Sequence, residues 1–369
     1  MNKRTIGILT GGGDCPGLNA VIRGVTKTAD KFGISVLGFH DGFLGMIEKR
    51  FDMLSFERVS GILTQGGTIL GSSNTASPFE HVIAEGGQTR KIDVSQQCME
   101  LYRDLGLDAL ICVGGDGTLT IGGRFAEMGA NIVGVPKTID KDLMETDTTF
   151  GFDSAMVTAT EAIDKLHTTA AAHHRVILVE VMGRNAGWLA LESGIAGGGD
   201  VILIPEIPYD IELIAASIRR RSRFGRKFSI VVVSEGAMPI GGTQVVAKIL
   251  ADRPDPVRLG GISHVIADQL EKMTDLECRV TVLGHLQRGG TPSPIDRLLA
   301  TRFGVKAVEL VITRNFNQMV ALHGIEMQSV PIQNVMGKQK KVPLDSPLIQ
   351  VALSVGTTFG APLDMSLRG

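Results

Sequence analysis

Ala109-Leu110-Ile111-Cys112-Val113 runs without a break into Gly114-Gly115-Asp116-Gly117-Thr118. A continuous apolar run closed by glycines is the pattern of a strand buried on both faces, followed by a tight turn into a helix. The pattern recurs along the chain. Residues 6–9 lead to Thr10-Gly11-Gly12-Gly13-Asp14, residues 36–39 to His40-Asp41-Gly42, and residues 132–135 to Pro136-Lys137-Thr138-Ile139-Asp140-Lys141-Asp142. Further on, 176–181 lead to Met182-Gly183-Arg184, 230–233 to Ser234-Glu235-Gly236, and 280–283 to Gly284-His285-Leu286-Gln287-Arg288-Gly289-Gly290. Between the runs, Leu18, Val21, Ile22, Val25 and Ala29 form a helical stripe over 18–31. Residues 95–105 and 154–166 read similarly. Strands alternating with helices imply a mainly parallel sheet with right-handed crossovers. Ligands of such sheets sit at the carboxyl ends of the strands, which is where nearly all the polar clusters fall.

The chain has 369 residues, enough for two domains of ordinary size. The expected architecture is two Rossmann-like three-layer α/β/α domains with mainly parallel sheets and the active site in the cleft between them. The expected division is 1–151 plus 287–335 for phosphate and nucleotide binding, against 152–286 plus 336–369 for the sugar phosphate. Residues 219–227, rich in Arg, Ser and Gly, read as a mobile basic surface segment. No role beyond packing on the second domain is expected for 342–369.

Hydrophobic residues make up 43% and charged residues 21% of the chain, which argues against general disorder. The net charge of −2 leaves no global nucleic-acid footprint. Cys15, Cys98, Cys112 and Cys278 are far apart and form no CxxC pair, which points away from zinc and a redox dithiol and toward a reducing compartment. The apolar run at the N-terminus is too short for a signal segment, and there is no long apolar stretch. A cytoplasmic protein, with no nucleic-acid or membrane partner, is expected.

Four clusters carry chemistry. Gly11-Gly12-Gly13-Asp14 lies between a strand and a helix, where converging N–H groups and a helix N-terminus suit an anion. It lacks the lysine of a GxxxxGK[ST] loop and is not GxGxxG; a plain tight turn is the alternative. The second, Gly115-Asp116-Gly117-Thr118, adds a carboxylate, which would repel a phosphate unless Mg²⁺ lay between them; the alternative is a helix cap. In the third, Asp140 and Asp142 are two apart, so in an extended loop they point the same way, one to hold a metal-bound water and the other to accept a hydroxyl proton. Alone, that pattern is more often a solvated turn. The fourth is a set of cations at strand ends, Arg175, Arg184, Arg279, His285 and Arg288, suited to a phosphate pocket or, one by one, to surface ion pairs. Glu235 is placed to accept hydroxyl hydrogen bonds. Two anion sites, a metal carboxylate and a base describe phosphoryl transfer between small phosphorylated molecules.

With these clusters in place, the sequence resembles the phosphofructokinase family over about 320 residues. The matching stretches are LTGGGDCPGLNAVIRG (9–24), GGDGT (114–118), PKTIDKD (136–142), VEVMGRNAGWLA (179–190), IPE (204–206), SEG (234–236) and VLGHLQRGG (282–290). The resemblance implies transfer of the γ-phosphoryl of Mg-ATP to the 1-hydroxyl of fructose 6-phosphate. It implies Asp140 as general base, with Thr138 and Arg184 steadying the transferring group. Asp116 would hold Mg²⁺ with help from Asp142. Gly12, Gly115, Gly117, Thr118 and Lys137 would line the donor site. Met182, Gly183 and Glu235 would hold the sugar, and Arg175, Arg279, His285 and Arg288 its 6-phosphate. The Arg175 and Arg279 positions reach in from a neighbouring subunit in the family, so a homotetramer is expected. Arg23, Lys27, His167 and Asp200 match an effector site, or Arg23 and Lys27 are simply the solvated face of the first helix.

Two residues depart from the family's bacterial ATP enzymes, which have glycine at the Lys137 position and often arginine at that of Asn74. Lysine is typical of pyrophosphate-using relatives, but those relatives usually carry aspartate where this chain has Gly117. The mixture resembles ATP users close to the pyrophosphate branch. Three other readings compete: a pyrophosphate-dependent enzyme, a kinase of NAD or diacylglycerol sharing the GGDGT turn, and an inactive sensing subunit. The 6-phosphate set argues against the second, and Asp116 with Asp140 against the third.

Overall fold

In the computed structural model, the residues described are 4–85, 88–225, 227–249 and 257–363. The chain begins β1 (Thr5–Thr10), α1 (Leu18–Lys31), β2 (Ser35–Phe39), α2 (Phe43–Ile47) and β3 (Phe51–Leu54). An antiparallel pair, β4 (His81–Glu85) and β5 (Gln88–Ile92), precedes α3 (Ser95–Asp104), β6 (Leu107–Gly114), α4 (Asp116–Glu127), β7 (Ile132–Thr138) and the short β8 (Phe150–Gly151). Then come α5 (Phe152–His173), β9 (Val176–Val181), α6 (Trp188–Ala196), β10 (Val201–Leu203), α7 (Ile211–Arg223) and β11 (Ser229–Ser234). The antiparallel β12 (Val246–Ile249) and β13 (Val257–Leu259) lead to α8 (Ile262–Thr274) and β14 (Cys278–Val282). The chain finishes with α9 (Pro294–Ile312), β15 (Gln318–His323), β16 (Glu326–Pro331) and α10 (Pro347–Ser354).

Two sheets result. One has the order β16-β15-β7-β6-β1-β2-β3, with β8 beside β7; the other has the order β10-β11-β9-β14. Contacts from β15 through β7, β6 and β1 to β2 are parallel, as is the whole second sheet. The apolar runs are the reason: every residue of β9 and β11 is buried, and so are Ala109 to Val113 of β6. In the first sheet the strand order reverses at β1, with β2 on one side and β6 on the other, so a crevice opens beyond their carboxyl ends.

Both antiparallel edges, β3 and β16, go beyond the sequence reading. Strand β16 alternates between exposed and partly covered residues and has no continuous apolar run. The helix expected over 154–166 extends to 22 residues, and the basic stretch expected to be mobile is helical as far as Arg223. There Arg219 donates to the Met273 carbonyl at 2.7 Å and Arg221 pairs with Asp200, so these arginines tie α7 down; Arg226 lies outside the described residues. The C-terminal stretch packs as expected on the second sheet, where Thr358 bridges to Val201 beyond α10; 364–369 lie outside the described residues.

The largest core is continuous from one sheet to the other through Cys15, Phe150, Phe152 and Phe303. The crossover into α5 is pinned by Asp296 of α9, whose Oδ2 accepts from the Ser154 N–H (2.8 Å) and hydroxyl (2.6 Å). Burial pushes that carboxyl up to about 6.

Candidate active site

The loops after β1, β6 and β7 are built against one another. The Gly11 N–H donates to Val113 O at 2.9 Å and the Gly12 N–H to Ser73 O at 3.0 Å, while Ser72 Oγ donates to Gly12 O at 2.5 Å. The approach is close enough that a Cβ on Gly114 would fall 2.3 Å from the Cβ of Thr118. Lys137, at the end of β7, is only 4% exposed and donates from Nζ to the Gly13 carbonyl. Burial lowers its pKa, and Arg288 acts in the same direction. Gly117 is different: a Cβ there would meet nothing within 4 Å. The space above the first turn of α4 is therefore open.

Three carboxylates stand over these loops. Asp116 opens α4, but the helix is capped by Gly115 without a side-chain hydrogen bond, so the capping alternative fails. Asp116 Oδ1 instead accepts from the Gly337 N–H at 2.8 Å and from Thr120 Oγ1 at 3.3 Å. The 140–142 stretch is not extended. Lys141 takes a left-handed φ of 54°, so the shared direction of Asp140 and Asp142 comes from a turn rather than from alternation along a strand. Thr138 organises that turn: its Oγ1 accepts from the Asp140 N–H at 3.0 Å, and its side chain bonds the Asp142 carboxylate.

Asp140 Oδ1 is buried and has no hydrogen-bond partner among the described residues. Burial first, then the neighbouring Asp142, push its pKa up to about 7, with Arg288 opposing. Asp142 is also raised, by burial foremost and by Asp116 in addition. An unpartnered buried carboxylate beside a second one is a costly arrangement that a ligand or cation relieves. No group of three or more His, Cys, Asp or Glu side chains among the described residues could cage a metal. Asp116 and Asp142 beside an anion cradle do fit Mg²⁺, which takes one or two carboxylates and fills its shell with phosphate oxygens and water.

The facing wall comes from the second sheet. Gly183 has a φ of 128°, and a Cβ there would lie 2.9 Å from both the Ala186 carbonyl and Ser234 Oγ, so only glycine fits this turn. Ser234 Oγ donates to the Gly183 carbonyl, and the Met182 N–H reaches Gln287 Oε1 at 3.4 Å. Gln244 Nε2 holds the Arg184 carbonyl at 2.9 Å. Burial and Glu180 raise the Glu235 carboxyl, against Arg288, the Gly183 N–H and Arg184. Arg288 spans the cleft: its guanidinium donates to the Asp14 carbonyl at 2.9 Å and acts on Lys137, Asp140 and Glu235 alike. His285 is exposed in the same 3-10 turn.

Two of the expected phosphate cations do not join this group. Arg175 immediately precedes β9, and Arg279 pairs in register with Ile177 at the start of that strand. Both are ion-paired to Glu277. Counted along β9, they sit roughly 16–23 Å from Met182. Within one chain the cleft thus gathers Arg184, His285 and Arg288, while Arg175 and Arg279 lie at the amino-terminal ends of β9 and β14. Three of the expected effector positions already have partners within the chain. Lys27 Nζ lies 3.3 Å from the centroid of the Phe56 ring, His167 Nε2 is 2.6 Å from Gly197 O, and Asp200 accepts from the Ile230 N–H at 2.9 Å and pairs with Arg221. Arg23 is half-buried on α1.

The sequence reading missed the segment 336–342, which crosses the rim of the cleft. Its basic run Lys338-Gln339-Lys340-Lys341 gives no periodic or glycine signal, and only tertiary contact reveals its place. Also missed was Glu192, which takes Lys141 Nζ at 2.7 Å.

Facing glycine-rich and carboxylate-rich loops at the carboxyl ends of two parallel sheets define a two-domain α/β protein built around an anion site. A family profile described as Phosphofructokinase matches residues 5–311, and the chain belongs to that family. It is 53% identical to ATP-dependent 6-phosphofructokinase 2 of Clostridium perfringens, over 96% of this chain and 98% of that protein. It is 49% identical to a pyrophosphate–fructose 6-phosphate 1-phosphotransferase of Streptomyces coelicolor, over 96% of this chain and 99% of that one. Among solved structures, Pichia pastoris phosphofructokinase in the T-state superposes with a TM-score of 0.78 at 31% identity; the match covers 96% of this chain but 39% of that longer one.

Proposed function

We propose that this chain is an ATP-dependent 6-phosphofructokinase, which moves the γ-phosphoryl group of Mg-ATP to the 1-hydroxyl of fructose 6-phosphate and yields fructose 1,6-bisphosphate and ADP. The observation that carries the reading is Asp140. Its unpartnered Oδ1 stands between the glycine loops and the Met182–Arg184 wall, poised near neutrality as a general base should be. In the reaction, Asp140 takes the proton of the 1-hydroxyl as that oxygen bonds to the γ-phosphorus, and the bond from phosphorus to the bridging oxygen of ADP breaks. Thr138 and Arg184 steady the transferring group. Gly12, Gly115, Gly117 and Thr118 line the donor side, and Lys137 adds charge there. Met182, Gly183 and Glu235 orient the sugar, and His285 and Arg288 hold its 6-phosphate. Mg²⁺, held by Asp116 and Asp142, supplies charge neutralisation on the phosphate oxygens.

Arg175 and Arg279 complete the 6-phosphate site from a neighbouring subunit in this reading, which requires an oligomer and is met by a homotetramer. The domain division 1–151 plus 287–335 against 152–286 plus 336–369 belongs to the same proposal, as does a cytoplasmic location. Among the described residues, no helix is long and apolar enough to cross a membrane. Arg23, Lys27, His167 and Asp200 are the proposed effector positions.

ATP is favoured as donor because nothing occupies the space at Gly117. A pyrophosphate donor has support of its own in Lys137, held on the Gly13 carbonyl, and in the Streptomyces relative. The deciding experiment measures fructose 1,6-bisphosphate formation with Mg²⁺ and ATP, ADP or pyrophosphate. Turnover with ATP supports the reading. Turnover with pyrophosphate alone would overturn the donor and leave the sugar site standing.

A further inference from the structure

The segment 336–342 touches the loop after β6, the turn after β7 and the second-sheet wall of the cleft. The Gly337 N–H donates to Asp116 Oδ1 at 2.8 Å, and the Lys340 N–H donates to the Asp142 carbonyl at 2.7 Å. These are the two carboxylate residues that fit the metal. From the same lysine, Nζ donates to the carbonyls of Thr146 (2.8 Å) and Asp147 (3.0 Å), closing the loop that follows Asp142. The Lys340 carbonyl accepts from the Trp188 indole N–H at 2.9 Å, and Asn185 Nδ2 donates to Gln339 Oε1 at 3.2 Å. The Val342 N–H donates at 2.9 Å to Glu206, whose carboxylate also takes the Gly187 N–H at 3.0 Å. One short stretch thereby fastens the donor loop, the catalytic turn and the sugar-side loop to one another.

We infer that residues 336–342 act as a clasp that sets the spacing of Asp116 and Asp142 relative to the sugar wall, with Lys340 as its central positioning residue. The inference rests on the reading of Asp116 and Asp142 as metal-holding carboxylates. Lys340 touches neither reactant. It acts by holding the backbone at Asp142 and at Thr146 and Asp147 just after it, beside Trp188, whose ring lies 5.7 Å from its ammonium and 5.2 Å from that of Lys141. Lys141 in turn bonds Glu192 of α6. The turn carrying Asp140 and Asp142 is consequently tied to α6 twice, through Lys141 to Glu192 and through Lys340 to Trp188. A free lysine side chain in this place would serve solubility alone; its neighbour Lys341 is exposed and forms no such set of contacts.

The test compares Lys340→Met with Lys341→Met and with Asp142→Asn, on the full chain. Three quantities are read: the dissociation constant for Mg-ADP by calorimetry, the Mg²⁺ concentration for half-maximal rate, and kcat against KM for fructose 6-phosphate. Residues that orient metal ligands typically govern affinity by 10–100-fold, so Lys340→Met is expected to weaken Mg-ADP by about tenfold and raise the Mg²⁺ requirement in step. A displaced catalytic turn should also lower kcat by on the order of 10²-fold, more than it changes KM for the sugar. Lys341→Met should behave as the parent. If Asp142→Asn raises the Mg²⁺ requirement and Lys340→Met does not, the clasp is overturned and the carboxylate reading stands. If neither variant alters it, the carboxylate reading falls and this inference falls with it. Should Lys340→Met be isolated unfolded, Lys340→Gln, which keeps an N–H donor and loses the charge, reads the same quantities with smaller shifts.

Discussion

Polar groups at the cleft and polar groups at the expected effector positions are treated in opposite ways by the fold. At the cleft, Asp140 Oδ1 is buried with no partner, Asp142 is raised by burial among other carboxylates, and Gly117 keeps an open space beside them. At the effector positions, Lys27 rests on an aromatic ring, His167 bonds a carbonyl and Asp200 is held by an N–H and an arginine. A buried group without a partner costs free energy that native structures rarely tolerate unless a ligand completes it. A satisfied group is explained by folding alone. Arg221 Nε beside Asp200 is also buried without a partner among the described residues, so what sets the cleft apart is that its unpartnered atom belongs to a carboxylate packed beside a second carboxylate.

The sharpest test of that contrast is Asp140→Asn. Loss of a positioned base is expected to lower kcat on the order of 10³-fold. The same change should stabilise the protein in a pH-dependent manner. The folded-state pKa of Asp140, about 7, lies above its ordinary value of 3.8, so the stability present below pH 3.8 is lost progressively as pH rises to about 7 and stays lost above it. The melting temperature of Asp140→Asn should exceed that of the parent at pH 8, and the gap should narrow as pH falls below about 7 and close toward pH 3.8. An unchanged rate would remove Asp140 from catalysis. A variant less stable at pH 8 would show that the carboxylate has a protein partner after all.

Gly117→Asp tests the open space. Bringing a carboxylate toward a nucleotide phosphate costs several kcal/mol in a partly dried site. The kcat/KM for ATP relative to pyrophosphate should therefore shift toward pyrophosphate by on the order of 10²-fold. An unchanged ratio would mean that the donor phosphates lie elsewhere in the cleft and that Lys137, not Gly117, governs the choice.

The pH–rate profile is a milder probe of the same contrast. The base must be ionised to act, so kcat/KM for fructose 6-phosphate should fall as pH drops below about 7, approaching tenfold per pH unit. In Asp140→Asn that limb should vanish from whatever rate is left.

How much of this was readable beforehand depends on whether a feature leaves a local trace. The inner strands announced themselves because burial on both faces demands unbroken apolar runs such as 109–113 and 176–181. Asp116 and Asp140 stand out because they follow buried runs, the first within a glycine cluster, but turn and cap residues look the same locally, and Gly183 is singled out only by the resemblance. Edge strand β16 has one covered face at most and therefore no run to detect. Arg175 and Arg279 were expected at strand ends and in a neighbouring subunit's site, and they lie at the amino-terminal ends of β9 and β14, away from their own chain's cleft. The left-handed Lys141 was hidden too, since lysine carries no preference for that conformation and the surrounding contacts impose it. Residues 336–342 lie beyond any such pattern. Their place depends on hydrogen bonds to residues between about 136 and 221 positions away in the chain, and a sequence window cannot hold that information.

Asp200→Asn probes the satisfied side of the contrast and should have the smallest effect on function. The carboxylate accepts the Ile230 N–H and pairs with Arg221, so the change leaves a half-buried guanidinium without its counter-charge. A loss of about 1–3 kcal/mol of stability is expected, in the range for a polar group deprived of its partner. Turnover in the absence of any effector should match the parent, because β10, which Asp200 precedes, is an edge strand of the second sheet and contributes none of the cleft residues. Parent-like stability combined with an altered response to a nucleoside diphosphate would reverse the contrast, making Asp200 a ligand residue whose pairing with Arg221 is what the effector displaces.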